Sequence, residues 1–515
     1  MNNNQSEILK YKPTMNSIRP ADSHSLGSMT TEDLNTSPQR ADLNLQRLKQ
    51  IIETNPNNVN INQYYKEIGE HYEKEGDFYK AITEGYIKII KTEPYNGVIL
   101  NQIGCCYHLL GQYKLAIHYF KKVIQIKEIA DVYANMGICY NAMKDYTSAE
   151  EVLLKAFKLD KTKSNIQSTL GDVYFYKKQY DKSIKYYSLI KEPNDRYRHL
   201  YNLSFPYLAK LDFKKGLDLY ENRLKFNNIN PQTKLHDRVE VNFEYWDGIK
   251  PCNHLLIIYE QGIGDNIQYF RFIIELSKLH PTMKITYFCR NLVSHLFLDT
   301  YQNITIVDEL FFYQTFDYKI YNMSLPFLLH KTVICPNTEN YIKMDEMKTI
   351  EWKNKLKSLD KKRMKVGIVY NGLLSSFIEK NIHIKEFEIL CDLDIDLICI
   401  HKKSDIEKDL PPAFANKINC FDIDLDKPFE DTIHILPQLD LLITIDTYVV
   451  HLAGVLGVKT WLLLGYSDWR WSNNETSTYW YDSVELIRTK DNKELKTTLV
   501  TVKDKLMGLL QNNSL

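Results

Sequence analysis

The stretch GCCYHLLGQYKLAIHYF, residues 104–120, decides how the first part of the chain folds. Its small residues Gly104 and Ala116 stand twelve positions apart, with Tyr107, Gly111 and Phe120 at fixed places around them. The pattern recurs on both sides. A small residue returns at Gly69, Gly104, Gly137, Gly171 and Ser204, at intervals of 35, 33, 34 and 33. Three positions after each comes a tyrosine: Tyr72, Tyr107, Tyr140, Tyr174 and Tyr207. Twelve positions after each comes a second small residue: Ala81, Ala116, Ala149, Ser183 and Gly216. Each unit reads as two antiparallel helices. The first small residue lets them approach, the tyrosine fills the groove, and the second lets the next unit dock.

Period and pattern resemble the tetratricopeptide repeat, whose helix pairs stack into a curved solenoid. About five units are expected over residues 61–228. A capping helix is expected over 41–60, where Leu45, Leu48, Ile51 and Ile52 share one face before Pro56. Residues 1–40, rich in Asn, Ser, Thr and Pro, read as a disordered tail that cannot bury enough apolar surface to offset ordering entropy. A repeat of this kind implies a binding surface, and a protein partner on the solenoid is expected.

After about residue 230 the period changes. Short apolar runs alternate with helical segments: 254–260, 284–289, 365–370, 396–400, 441–446 and 460–465. Buried strands separated by helices indicate parallel α/β sheets. The Lys-rich stretch Glu351–Lys365 divides the runs into two groups. Two Rossmann-like domains are expected, over 236–350 and 362–490, followed by a C-terminal helix and tail at 491–515. Ligands bind beyond the carboxyl ends of such strands.

Two motifs stand at those ends. In Tyr259-Glu260-Gln261-Gly262-Ile263-Gly264-Asp265 a strand runs into a glycine turn and a helix, so the backbone can approach a ligand closely. Asp265 faces either as a proton acceptor for a hydroxyl or as a helix N-cap, and spacing alone favours the cap. In Leu441-Leu442-Ile443-Thr444-Ile445-Asp446-Thr447-Tyr448-Val449-Val450-His451-Leu452-Ala453-Gly454 a strand reaches Asp446 and a helix begins. Thr447 and His451 then share a face near its N-terminus, where a diphosphate suits the dipole. The competing reading is a capping Asp446 and a core histidine. A third motif, Asp468-Trp469-Arg470-Trp471, suits stacking on a base or sugar ring, or a packed aromatic plug.

EQGIGDNIQYFRF (260–272), LDLLITIDTYVVHLAGVLGVKTWLLL (439–464) and DWRW (468–471) resemble tetratricopeptide-repeat proteins with a glycosyltransferase-like module, related to the heptosyltransferases of glycosyltransferase family nine. Trp246-Asp247-Gly248, Ser324-Leu325-Pro326 and Phe429-Glu430-Asp431-Thr432 fit in order. The resemblance implies an α-solenoid followed by an α/β GT-B fold, with a nucleotide-sugar donor in the C-terminal half and the acceptor in the other. It implies metal-independent, inverting transfer without a cofactor. By that resemblance Asp265 is the base, and Lys380, Asp446, Thr447, His451 and Gly454 hold the donor. Gln261, Gly262 and Gly264 shape the loop, and Trp469 and Arg470 contact the sugar or base. Lys380-Asn381, Tyr370-Asn371-Gly372 and Ile400-His401 depart from the family pattern. They fit the alternative, a non-catalytic repeat scaffold with a degenerate GT-B module.

Composition excludes other classes. The 65 Lys+Arg balance 65 Asp+Glu, which argues against a nucleic-acid-binding surface. Nine cysteines without a C-x-x-C pair read as reduced thiols. The N-terminus has no apolar core of a secretory signal, and the most apolar stretch, Val449–Gly465, is too short and interrupted to span a bilayer. A soluble, cytoplasmic protein is expected. The triplets Asp394-Ile395-Asp396 and Asp422-Ile423-Asp424 adjoin strands, and neither is expected to bind metal.

Overall fold

A computed structural model of the chain describes residues 38–191, 196–229, 243–289, 291–311, 314–334, 339–357, 359, 362–372, 381–406, 410, 412–465, 468–471, 476–489 and 494–512. The expected tail therefore falls outside the described residues up to position 37. The first helix, Pro38–Thr54, starts three residues before the expected boundary, with proline in its first turn, where no backbone donor is needed. By contacts the chain divides at Leu203/Ser204, inside the Arg196–Ala209 helix.

The unit ending at Leu203 is a series of helical hairpins. Gly104 lies against Phe120, where an added Cβ would stand 2.6 Å from the ring. Gly137 meets Leu153 and Gly171 meets Tyr187 in the same way, each sixteen positions on. Gly69 meets Tyr86, seventeen on. The extra residue is absorbed by a π-helical segment, Ala81–Tyr86, which accounts for the interval of 35 after Gly69. The groove beside each glycine is thus filled from the second helix of the hairpin. This corrects the expectation that the tyrosine three positions on fills it. Those tyrosines pack beside the groove: Tyr107 stacks on Tyr119 at 5.6 Å and Tyr174 on Tyr186 at 5.3 Å, while the Tyr72 hydroxyl donates to Glu84 at 3.0 Å. The second small residue also serves its own hairpin, since Ser183 Oγ donates to the Gly171 carbonyl at 2.8 Å.

All five units share one turn. Seven positions after the small residue the backbone is left-handed, at Gly76, Gly111, Lys144, Lys178 and Leu211. The next N–H donates to the carbonyl of the repeat tyrosine: Asp77 to Tyr72, Gln112 to Tyr107, Asp145 to Tyr140, Gln179 to Tyr174 and Asp212 to Tyr207, at 2.8–3.0 Å. This closes the first helix. Asp77, Asp145 and Asp212 then cap the second, each accepting an N–H three residues on.

The unit from Ser204 holds the fifth hairpin and two parallel sheets. The first sheet has the order β3-β2-β1-β4, with β1 His254–Ile258, β2 Lys284–Phe288, β3 Ile304–Val307 and β4 Tyr318–Tyr321. The second has the order β10-β9-β8-β5-β6-β7, with β5 Met364–Val369, β6 Ile395–Cys399, β7 Ile418–Cys420, β8 Leu441–Ile445, β9 Thr460–Leu464 and β10 Val484–Arg488. Counted from its own first strand, this is the doubly wound order 6-5-4-1-2-3, and the first sheet is its four-stranded counterpart. Each sheet reverses direction between its first and fourth strands. In the second, Val369 of β5 lies opposite Thr444 of β8, so Tyr370 and Asp446 leave the sheet side by side. The core below is apolar: Ile368, Ile443, Trp461 and Leu463 with Leu499, Val502 and Leu506 of the Thr498–Asn512 helix.

Candidate functional site

Strand β1 ends at Ile258 and the Ile263–Leu279 helix begins five residues later. The loop between is held from several sides. Gln261 is left-handed, a strained conformation for a residue with a side chain, of the kind that clusters at working sites. Asn266, fully buried, donates to the Gly262 carbonyl at 2.7 Å and accepts from the Tyr287 hydroxyl at 2.8 Å. Asp265 uses both carboxylate oxygens. Oδ2 accepts the Gly262 N–H at 2.8 Å, so Gly262 is the N-cap and Asp265 reaches back to it from the third helical position instead of being the N-cap itself. Oδ1 lies 3.0 Å from Arg470 Nη2.

Arg470 comes from the second sheet's side, in the 3-10 turn Trp469–Trp471. Its Nη2 also donates to Gln261 Oε1 at 2.8 Å, and Nη1 lies 3.6 Å from Asp468 Oδ2. Gln261 in turn donates to the hydroxyl of Tyr220 at 2.8 Å. Arg470 thus holds a carboxylate while its guanidinium carbon lies 5.8 Å from the Trp469 ring centroid.

The switch-point residue Asp446 accepts the Trp471 indole N–H at 3.0 Å. Thr447 caps the Tyr448–Val455 helix, its hydroxyl accepting from the Val449 N–H. One turn on, His451 Nδ1 lies 3.1 Å from the Tyr481 hydroxyl, and its ring stacks on Trp471 with centroids 5.3 Å apart. Burial lowers its pKa to about 4, against the raising pull of Asp446 and Asp265, so the ring is neutral. Gly264 sits against this ring. A Cβ there would stand 2.7 Å from His451 Cδ2, so the first turn of the helix after β1 and the helix after β8 meet at a point only glycine permits.

The structure thus brings Gln261, Gly264, Asp265, Asp446, His451 and Arg470 together. Gly454 packs on the Tyr481 ring, where a Cβ would stand 2.4 Å away. Trp469 is 4% exposed, edge-on to Tyr220, and forms part of a packed plug. Lys380 lies outside the described residues. Asp424 caps the Glu430–Ile435 helix through the Asp431 and Thr432 N–H groups, and Asp394 pairs with Arg363.

Sequence reasoning missed Arg223 and Glu260. The guanidinium is 2% exposed and donates from Nε and Nη2 to Glu260 at 2.9 and 2.8 Å, from Nη1 to Glu221 at 2.5 Å, and from Nη2 to Ser324 at 2.7 Å. The available signal was a glutamate directly after a buried apolar strand, a place that demands a cationic partner.

The comparisons fit the hairpins. The tetratricopeptide repeat family matches residues 98–128 and again 130–163, so the chain contains tetratricopeptide repeats. Among solved structures it is similar to MamA, at 24% identity over 34% of this chain and 96% of that one, with a TM-score of 0.30. It is also similar to YrrB, described as a TPR protein with an unusual peptide-binding site, at 16% identity over 37% and 96%, TM-score 0.30. PilF of Pseudomonas aeruginosa matches at 17% identity over 38% and 88%, TM-score 0.31. Among the described residues no helix is long and apolar enough to cross a membrane.

Proposed function

We propose that the two Rossmann-like domains, over 236–350 and 362–490, form a GT-B glycosyltransferase-like module using a nucleotide-diphosphate sugar, and that the repeats hold a protein partner. The observation that carries this reading is the meeting of Gly264, next to Asp265 in the helix after β1, with His451, in the helix after β8, where the strand order of two doubly wound sheets reverses. Ligands bind at such reversals. Asp265 would take the proton of the acceptor hydroxyl. The acceptor oxygen would then bond to the anomeric carbon from the face opposite the diphosphate. The bond from that carbon to the phosphate oxygen breaks, its electron pair leaves with the nucleoside diphosphate, and configuration inverts. The N-terminus of the Tyr448–Val455 helix, beside Thr447 and neutral His451, is the favourable place for the diphosphate.

A second reading is a protein-binding scaffold without transferase activity. It is favoured by the engagement of both Asp265 oxygens, one by the Gly262 N–H and one by Arg470. Calorimetric titration of the full chain with nucleotide sugars separates the two. Binding, followed by transfer that Asp265→Ala abolishes, supports the enzyme. No binding to any nucleotide sugar leaves the scaffold.

A further inference from the structure

We infer that Arg470 is a diphosphate-responsive latch on Asp265: it pairs with the carboxylate until a nucleoside diphosphate draws the guanidinium away and frees Asp265 Oδ1 to accept a proton. This rests on the nucleotide-sugar reading of the same site. Arg470 Nη2 serves two acceptors at once, Asp265 at 3.0 Å and Gln261 at 2.8 Å, while the nearest Asp468 oxygen is 3.6 Å from Nη1. Its Nε is buried and has no acceptor among the described residues. The guanidinium therefore carries donor capacity that its present partners do not use, and a diphosphate presents more acceptor oxygens than one carboxylate.

The pair is also placed to exchange. Side-chain exposures of 14% and 16% leave both groups reachable from solvent, unlike the 2% of Arg223. The neighbouring Trp471 holds Asp446 and stacks on His451, so the phosphate ground beside that helix adjoins the latch. When the guanidinium leaves, Asp265 keeps its Gly262 N–H through Oδ2 and stays oriented, while Oδ1 is left open to the acceptor hydroxyl. Donor would then precede acceptor in the order of binding.

The test is a calorimetric titration of the full chain with UDP, GDP, ADP and inorganic pyrophosphate. Asp265→Asn removes the charge that competes for Arg470, so the diphosphate that binds should bind roughly three- to ten-fold tighter. Arg470→Gln should weaken it by about ten-fold or more. Loss of a negative charge by itself favours an anion, so Asp265→Asn is repeated in Arg470→Lys, which keeps the charge but not the two-pronged fork. The latch predicts a smaller gain there, and an equal gain overturns it. Arg470→Lys also carries the test if Arg470→Gln fails to fold. Binding to Asp265→Asn but not to the unaltered chain would likewise support the latch. Diphosphate binding that is unchanged or weaker in Asp265→Asn overturns the latch and leaves the transferase reading standing. No binding by either protein overturns both.

Discussion

Arg223, at the end of the fifth repeat hairpin, grips Glu260, two residues beyond β1, through Nε at 2.9 Å and Nη2 at 2.8 Å. The loop that carries Asp265 is therefore tied to a repeat helix by a buried, two-pronged ion pair, and again by Gln261 on Tyr220. Losing one partner of such a pair strands an uncompensated charge. Arg223→Ala leaves both Glu260 and Glu221 without their cation, and the expected loss is about 3–5 kcal/mol. All six tryptophans (246, 352, 461, 469, 471 and 480) lie in the Ser204–Leu515 unit, so tryptophan fluorescence during urea unfolding reports this unit alone. A loss under about 1 kcal/mol would show that the pair is solvated in solution.

The six apolar runs found in the sequence are the six strands with neighbours on both sides or a fully apolar face. The four strands it did not show, Ile304–Val307, Tyr318–Tyr321, Ile418–Cys420 and Val484–Arg488, are the four sheet edges. Three of them are only three or four residues long, and Val484–Arg488 carries Glu485 and Arg488, so the edges mix polar with apolar and lose the signal of a buried run. The same logic divides the site. The positions of Asp265 and Asp446 were legible because each follows an apolar run, Asp446 directly and Asp265 after a glycine turn, where a helix begins. Arg470 on Gln261 bridges 209 positions and Arg223 on Glu260 bridges 37, and local spacing has no term for either. For Trp469 the sequence left a stacking face and a packed plug open, since it does not distinguish an exposed ring from a buried one, and the ring is buried.

The shared repeat turn offers a gain of stability. Position seven is left-handed in every unit, yet only Gly76 and Gly111 suit it. A residue with a Cβ is strained there, by roughly 1–2 kcal/mol. Leu211 is 45% exposed, so its side chain contributes little packing in return. Leu211→Gly should stabilise the Ser204–Leu515 unit by about 1 kcal/mol, allowing for glycine's extra freedom in the unfolded chain. The urea midpoint by tryptophan fluorescence measures it. An unchanged or lower midpoint would mean that Leu211 packs in solution.

Gly104 against Phe120 tests the packing of the hairpins. Alanine is the better helix former by about 1 kcal/mol, so propensity alone makes Gly104→Ala stabilising. The added Cβ would stand 2.6 Å from the ring, and overpacking costs about 1–3 kcal/mol. The clash should win, with a net loss of about 1 kcal/mol in thermal unfolding followed by far-ultraviolet circular dichroism. Pairing it with Phe120→Val makes room, so the double variant should lose less than the sum of the two singles. Additive losses would place the strain elsewhere.

His451 sets the last expectation, a dependence of stability on pH. Its folded pKa, about 4, lies below the ordinary 6.5 because burial opposes the charged ring. As pH falls through 6.5 the unfolded chain takes up a proton that the folded chain refuses, so stability drops. The drop continues until the folded pKa is reached, for a total on the order of 3 kcal/mol. Between about pH 7.5 and about pH 5 the share assignable to this ring is roughly 2 kcal/mol. Other groups titrate in the same window, so the measurement is a comparison. Urea unfolding by tryptophan fluorescence at both pH values, for the unaltered chain and for His451→Phe, isolates the histidine. The variant loses the Tyr481 hydrogen bond and starts less stable, yet it should weaken less on acidification. Equal acid losses in the two proteins would mean that His451 is hydrated or charged in the folded state.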